Sequence, residues 1–337
     1  MRVQRALLLA CLAGSIGPAI AQEATTQPEL SGVIAIHDPS VIEYGGRFAS
    51  FATGVENAAD SGTPRTKTSP DGTAWRETGA LPGGLPGWVE TELGYTPKNL
   101  WAPSISHHGG THYLYYSASS FGENDSAIGV MTNKQFDITE PAEGWQDQGM
   151  VLRSHDGDDF NAIDPFRIDT DGRSYLAYGS YWDGIRMVEL DPESGMLKDG
   201  AADPIRLASR DDDAIEAPSL LEHDGRYYLF VSFDACCRGA ESTYRIMVGR
   251  ADEISGPYLD ADDTPMLEGG GTEVLASTGR YRGPGGQEIF MNDGEPWLTY
   301  HYYDAEDAGT PKLQIAPLRW TEDGWPKLDP LPVSNGT

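Results

Sequence analysis

Cysteine is scarce in this chain, with three among 337 residues, so no framework of disulfides can carry the fold. Cys11 falls in the N-terminal segment discussed below. The other two, Cys236 and Cys237, are neighbours, a spacing that suits no ordinary zinc site and leaves either two free thiols or one vicinal bridge. Positive charge is scarce as well. The 24 Lys and Arg stand against 52 Asp and Glu, a net charge of −28, which argues against nucleic acid or an acidic polymer as partner and suits a neutral polymer or a cation. Past the N-terminus no apolar run is long enough to cross a membrane. No segment carries the period of a long helix, and neither a phosphate loop nor a dinucleotide fingerprint occurs.

The chain opens with Arg2 and Arg5, then an apolar stretch over 6–16, then Ala19-Ile20-Ala21 before Gln22. These are the parts of a secretory signal peptide over 1–21, cleaved after Ala21. A lipoprotein site at Cys11 is the rival reading, but it leaves almost no apolar region ahead of the cysteine. Loss of Arg2 and Arg5 would take the net charge to −30. The expected location is secreted or periplasmic.

What the chain does have is a repeat. A proline, an apolar run, a glycine turn and an aromatic run recur from Pro39 to Gly46, Pro103 to Gly110, Pro165 to Gly172 and Pro218 to Gly225, always seven residues apart. A fifth copy around Gly294 keeps the turn and aromatic strand but carries Gln287 in place of the proline. Each copy reads as a hairpin, because glycine supplies the positive φ of a tight turn and the flanks are apolar or aromatic. Third strands follow at Arg65, Ile128, Ile185, Tyr244 and Leu313, and fourth strands are expected near Trp75, Trp145, Leu197 and Trp325. The turn glycines lie 64, 62, 53 and 69 residues apart. Four strands per unit of this length, repeated five times, predict an all-β fold over 22–337, a single five-bladed β-propeller with four-stranded antiparallel blades. The segment 81–98 is rich in Pro and Gly and reads as an irregular loop that places Trp88 and Tyr95 near the channel mouth. The run Asp211 to Asp213 reads as a solvated cap.

The first strand of a propeller blade lines the central channel, so the residues just before the prolines are the candidates for function. They are His37-Asp38, Trp101-Ala102, Ile163-Asp164, Glu216-Ala217 and Gly285-Gly286. Asp before Pro is a common turn starter, yet Asp38, Asp164 and Glu216 come from equivalent places in three blades and converge on one mouth. Two carboxyl groups, one a protonated acid and one an ionised base or nucleophile, are the minimal apparatus for cleaving a sugar linkage. A third close by raises the acid's pKa by repulsion. Trp101, Phe121 and Trp182 offer apolar faces for sugar rings, and each could equally be blade packing.

The phrases His37-Asp38-Pro39-Ser40, Asn99-Leu100-Trp101-Ala102-Pro103, Asn161-Ala162-Ile163-Asp164-Pro165, Gly179-Ser180-Tyr181-Trp182, Glu216-Ala217-Pro218-Ser219 and Tyr300-His301-Tyr302-Tyr303-Asp304 together resemble glycoside hydrolase family 43. The stretch Phe233-Asp234-Ala235-Cys236-Cys237-Arg238-Gly239, leading to Tyr244-Arg245-Ile246, resembles its endo-1,5-α-L-arabinanase branch. That resemblance implies Asp38 as general base, Glu216 as general acid and Asp164 as the residue that tunes and orients the acid, with inversion at the anomeric carbon. It implies substrate contacts from His37, Trp101, Phe121, Asn161, Ser180 and Trp182, with arabinan or arabino-oligosaccharides as substrate and a monomer as the working form. It also implies a calcium ion held by His301, mostly through water, in the channel below. Ligand hardness alone would not have suggested this imidazole. Two departures stand out: Gly286-Gln287 occupy a place where relatives often carry His and a small polar residue, and Ser104 replaces an acidic residue.

An exo-acting arabinanase, α-L-arabinofuranosidase or β-xylosidase of the same family shares the carboxylates and differs in the loops that close the cleft. A non-catalytic carbohydrate-binding propeller is the alternative of another class, disfavoured by the intact acidic triad.

Overall fold

The computed structural model describes residues 26–55, 62–211 and 213–332, so the signal-peptide segment 1–21 and Asp212 lie outside the described residues. Five antiparallel sheets follow one another along the chain. The first strands of the blades are Ser40–Tyr44, Leu100–His108, Phe166–Thr170, Ile215–His223 and Tyr281–Asn292. The Pro-to-Gly frame is each blade's first hairpin. Positions 45–46, 109–110, 171–172, 224–225 and 293–294 all have positive φ at both residues, the turn geometry whose twist matches the flanking strands. The strand pairs closing these turns are Tyr44↔Arg47, His108↔Thr111, Thr170↔Arg173, His223↔Arg226 and Asn292↔Glu295. The core sits within and between these sheets, for example Leu229, Val231 and Phe233 of blade four packed against Phe166, Ala177 and Met187 of blade three.

Outer strands depart from expectation in two blades. In blade three the fourth strand is Ile205–Ala208, not the stretch at Leu197. Leu197 makes a single bridge to Leu190 and is 40% exposed, because Asp191 turns the chain back on itself by accepting the Ser194 N–H. In blade five Trp325 belongs to a separate ribbon, Arg319–Trp320 with Pro326–Lys327, and packs into the core between blades four and five. The outer edge of blade five is completed instead by residues 34–36, which pair antiparallel with Thr310–Pro317 through Leu313 N–H to Ile34 O (2.8 Å) and Ile36 N–H to Pro311 O (3.0 Å). Blade one carries a fifth strand, Ser31–Gly32, parallel to Ala74–Ala80.

The segment 81–98 is not wholly irregular. Gly87–Leu93 forms a short helix that begins after Pro86 and ends where Gly94 turns left-handed (φ 74°), a common way for a helix to stop. Val89 and Leu93 are buried. Trp88 lies against Tyr116 on blade two, and Tyr95 donates to Asp125 O (2.7 Å), so neither ring stands at the channel mouth. Gly129 makes this possible, since a Cβ there would meet Tyr116 at 2.5 Å and Trp88 at 2.6 Å. No helix among the described residues is long and apolar enough to cross a membrane.

Candidate active site

The residues before the four prolines, and before Gln287 in blade five, all adopt the left-handed backbone: φ is 50° at Asp38, 37° at Ala102, 56° at Asp164, 53° at Ala217 and 56° at Gly286. Four of the five carry a Cβ, so something must hold them there. The hold comes from the neighbouring blade. Fifteen residues after each of these positions, across the hairpin, stand Thr53, Ser117, Gly179, Ser232 and His301. Ala102 N–H donates to Thr53 Oγ1 (3.0 Å), Asp164 N–H to Ser117 Oγ (3.1 Å), Gly286 N–H to Ser232 Oγ (3.0 Å) and Asp38 N–H to His301 Nδ1 (3.1 Å). Blade three has only Gly179 at this register, and there the carboxylate of Asp164 takes the bond itself, accepting Ala217 N–H at 3.0 Å. A ring of hydrogen bonds thus ties each blade to the next and fixes Asp164 beside Glu216.

Above this ring lies an open cleft of about 1390 Å³. Asp38, Asp164, Glu216, His37, Trp101, Phe121, Asn161, Ser180 and Trp182 all border it. His301 lies beneath, fully buried. Phe121 is 81% exposed and Trp182 37%, an arrangement blade packing does not explain. Trp101 is steadied by Asn99, which accepts its indole N–H at 3.1 Å. Asn161 is buried, and its Oδ1 has no protein partner. Ser180 spends its hydroxyl on Glu216 Oε2 (2.6 Å), while Tyr244 donates to Glu216 Oε1.

The three carboxyls sit in different fields. Burial raises Glu216 to about 7, the Ser180 hydrogen bond opposes this, and the charge of Asp38 reinforces it. Burial and the charges of Glu216 and Asp38 push Asp164 well above the usual range. Glu216 and Asp164 repel each other, so the pair, not either residue alone, keeps a proton near neutrality. Burial would raise Asp38 too, but His37 alongside it and the Thr53 hydroxyl, which donates to Oδ2 at 2.6 Å, outweigh burial and hold it below the ordinary carboxylate range. One buried site therefore contains a protonated and an ionised carboxyl together.

His301 is depressed to about 3 by burial and by neighbouring His37, so its ring is neutral. Its Nδ1 accepts from Asp38, which leaves the proton on Nε2, a buried atom without a protein partner. Such an atom requires water or an ion. Among the described residues His37, Asp38 and His301 bring ligand atoms within 4.8 Å of one another, and a cavity of about 40 Å³ bordered by Asp38, Asp164, Gly286 and Glu288 lies under the cleft. A hydrated cation fits this set. His301 would hold it through Nε2 only with the ring proton moved to Nδ1 and the Asp38 N–H bond given up, and the carboxylates would act through water.

The departures at 286, 287 and 104 lie in the channel and not on the cleft wall. Gln287 receives the Ser232 hydroxyl on Oε1 (2.7 Å) and donates to Ala217 O (2.6 Å). Ser104 and Ser40 both hydrogen-bond Glu288, whose carboxyl burial raises to about 8.

Residues 27–326 match the model of glycosyl hydrolases family 43. The chain belongs to this family. It is 40% identical over 292 residues, covering 86% of this chain and 87% of its relative, to the extracellular endo-α-(1→5)-L-arabinanase 1 of Bacillus subtilis strain 168. It is 36% identical, covering 88% and 87%, to the extracellular exo-α-(1→5)-L-arabinofuranosidase ArbA of Cellvibrio japonicus strain Ueda107. Among solved structures the endo-arabinanase from Bacillus licheniformis superposes with a TM-score of 0.82 at 39% identity, over 89% of this chain and 99% of that one. The family-43 chain described here thus has the propeller of its relatives, with three carboxyls at its cleft floor.

Sequence reasoning found the carboxylates and missed what holds them. Thr53, Ser117, Ser232 and Tyr244 were not singled out. The constant fifteen-residue spacing after each pre-proline position is the signal that marks the first three.

Proposed function

We propose that this chain is an exported, monomeric endo-acting hydrolase of α-1,5-L-arabinofuranosidic linkages that inverts the anomeric centre. The observation that carries the reading is the pairing of unlike carboxyls at the floor of a cleft larger than the roughly 300–1,000 Å³ typical of small-molecule pockets. Room of this size suits several sugar residues of a chain threaded through. Glu216 gives its proton to the glycosidic oxygen as the bond to the anomeric carbon breaks. Asp38 takes a proton from the water that attacks that carbon on the opposite face. Asp164 tunes the acid by sharing a buried proton with Glu216, and Ser180 and Tyr244 orient Glu216. The extracellular relatives support export.

The Cellvibrio relative, an exo-acting enzyme by its name, motivates the second reading, and one assay separates the two. On debranched arabinan an endo enzyme lowers viscosity steeply while few reducing ends have formed. A parallel, slow fall of viscosity with single products would assign exo action, and no reducing ends would return the protein to carbohydrate binding.

A calcium ion in the channel, when bound, would supply positive charge that steadies the carboxylates and waters below the site. Chelator is expected to lower the melting temperature and added calcium to restore it, and His301→Ala should lose that response. An unchanged melting curve in excess chelator would leave His301 as the partner of Asp38 N–H alone.

A further inference from the structure

Cys236 and Cys237 are joined by a disulfide, and both border the cleft. Their neighbours are anchored independently. The Asp234 carboxylate accepts from Arg210 Nη1 (3.0 Å) and Arg245 Nε (2.8 Å), Ala235 N–H donates to Thr243 Oγ1 (3.1 Å) and Arg238 N–H donates to Ser242 Oγ (2.9 Å). The bridged pair spans the gap between these anchors. Cys237 sits at φ 66°, a region a residue with a Cβ leaves unless held, and the small ring closed by the bridge holds it there.

From Cys237 a chain of hydrogen bonds runs to the base. Its N–H donates to the Tyr303 hydroxyl oxygen (2.8 Å), that hydroxyl meets His37 Nε2 (2.9 Å), and His37 Nδ1 meets Asp38 Oδ2 (2.8 Å). Ionised Asp38 can only accept, so Nδ1 carries a proton and Nε2 rests against Tyr303. Cys237 Sγ also lies 3.8 Å from Nε2. The His37 ring is therefore located by Tyr303 on one side and by the stack on His301 (4.1 Å) on its face.

We propose that the Cys236–Cys237 bridge is a redox-dependent positioning element for the catalytic base: closed, it keeps Cys237 N–H on Tyr303 and so aims His37 at Asp38; opened, it releases that alignment. Cys237 is exposed and Cys236 partly so, within reach of a thiol reductant. Opening consumes two electrons and two protons from a dithiol such as dithiothreitol, which leaves as its own disulfide while the protein gains two thiols. Cys237 and Tyr303 are positioning residues here, since neither takes part in the proton transfers of hydrolysis. The inference rests on Asp38 as base, which Asp38→Asn tests separately.

The experiment compares the full-length mature enzyme before and after dithiothreitol, with free thiols counted and the reductant removed. Reduction is expected to lower kcat on arabinan about tenfold, as small misalignments do, with KM within about twofold, and reoxidation should restore it. Tyr303→Phe should show the same kcat loss while its bridge is still closed, and reduction should then cost it nothing more, because both changes break one chain of contacts. Unchanged kcat with both thiols titrated would overturn the proposal. So would a rise in KM at constant kcat, which would make the bridge a sugar platform, or losses that multiply in reduced Tyr303→Phe.

Discussion

Asp38→Asn and Glu216→Gln are each expected to lower kcat on debranched arabinan at least about a hundredfold, the lower end for loss of a general acid or base, with oligosaccharide binding retained. The electrostatics add a second readout. Glu216 is raised to about 7 by burial, so the proton needed for the leaving group is present below that pH and lost above it. Wild-type activity should fall about tenfold per pH unit on the alkaline side. Asp38 is held below the ordinary range by His37 and Thr53 against the effect of burial, so lowering the pH should leave the base ionised well into the acid region. In Glu216→Gln the alkaline fall should vanish along with most of the rate. Near wild-type turnover in either folded variant, or an alkaline limb that survives in Glu216→Gln, would show that the role had been given to the wrong residue.

Gly286→Ala carries the second large effect. A Cβ at this position would stand 2.8 Å from Asp38 Oδ1 and 2.8 Å from His301 Nδ1 and Cε1, on a backbone at φ 56°. Something has to shift, and the atoms that shift are the base and the imidazole that holds its backbone. A loss of about a hundredfold in kcat is expected from a displacement on the order of 1 Å, with a melting temperature lower by a few degrees for the left-handed alanine. Gly269→Ala provides the comparison. Its φ is 82° and a Cβ there meets nothing within 4 Å, so it should share the thermal loss and keep its turnover. If Gly286→Ala matched Gly269→Ala in kcat, the close packing under Asp38 would not matter to the reaction.

The architecture was legible because its determinants are local and repeated. Gly46, Gly110, Gly172, Gly225 and Gly294 sit where only a left-handed turn closes the hairpin, and Asp38 and Asp164 directly precede prolines, with Glu216 one residue further back from Pro218. The rest depended on partners far along the chain. Ile34-Ala35-Ile36 reads as the lead-in to the first hairpin and in fact pairs with strand Thr310–Pro317. Thr53, Ser117 and Ser232 are ordinary hydroxyl residues until the register places each against the next blade's N–H. Leu197 and Trp325 satisfy the apolar pattern of a strand while serving a turn and a ribbon. Whether Cys236 and Cys237 are joined could not be decided from their adjacency alone.

The pairing of residues 34–36 with 311–313 has a consequence for how the molecule comes together. Four of the five blades are stitched from consecutive chain, but the fifth waits for its last strand to meet one made some 270 residues earlier, so the circle shuts late and over a long loop. Until it shuts, strand Thr310–Pro317 is a bare edge with unpaired N–H and C=O groups, the kind of surface that captures a strand from another molecule. Two half-closed chains can satisfy each other by trading their first segments, a dimer that needs no new contact, only the old one made in the wrong partner. Crowded refolding is the condition that favours that trade, whereas loss of the residues ahead of His37 would leave the edge bare with no segment to exchange.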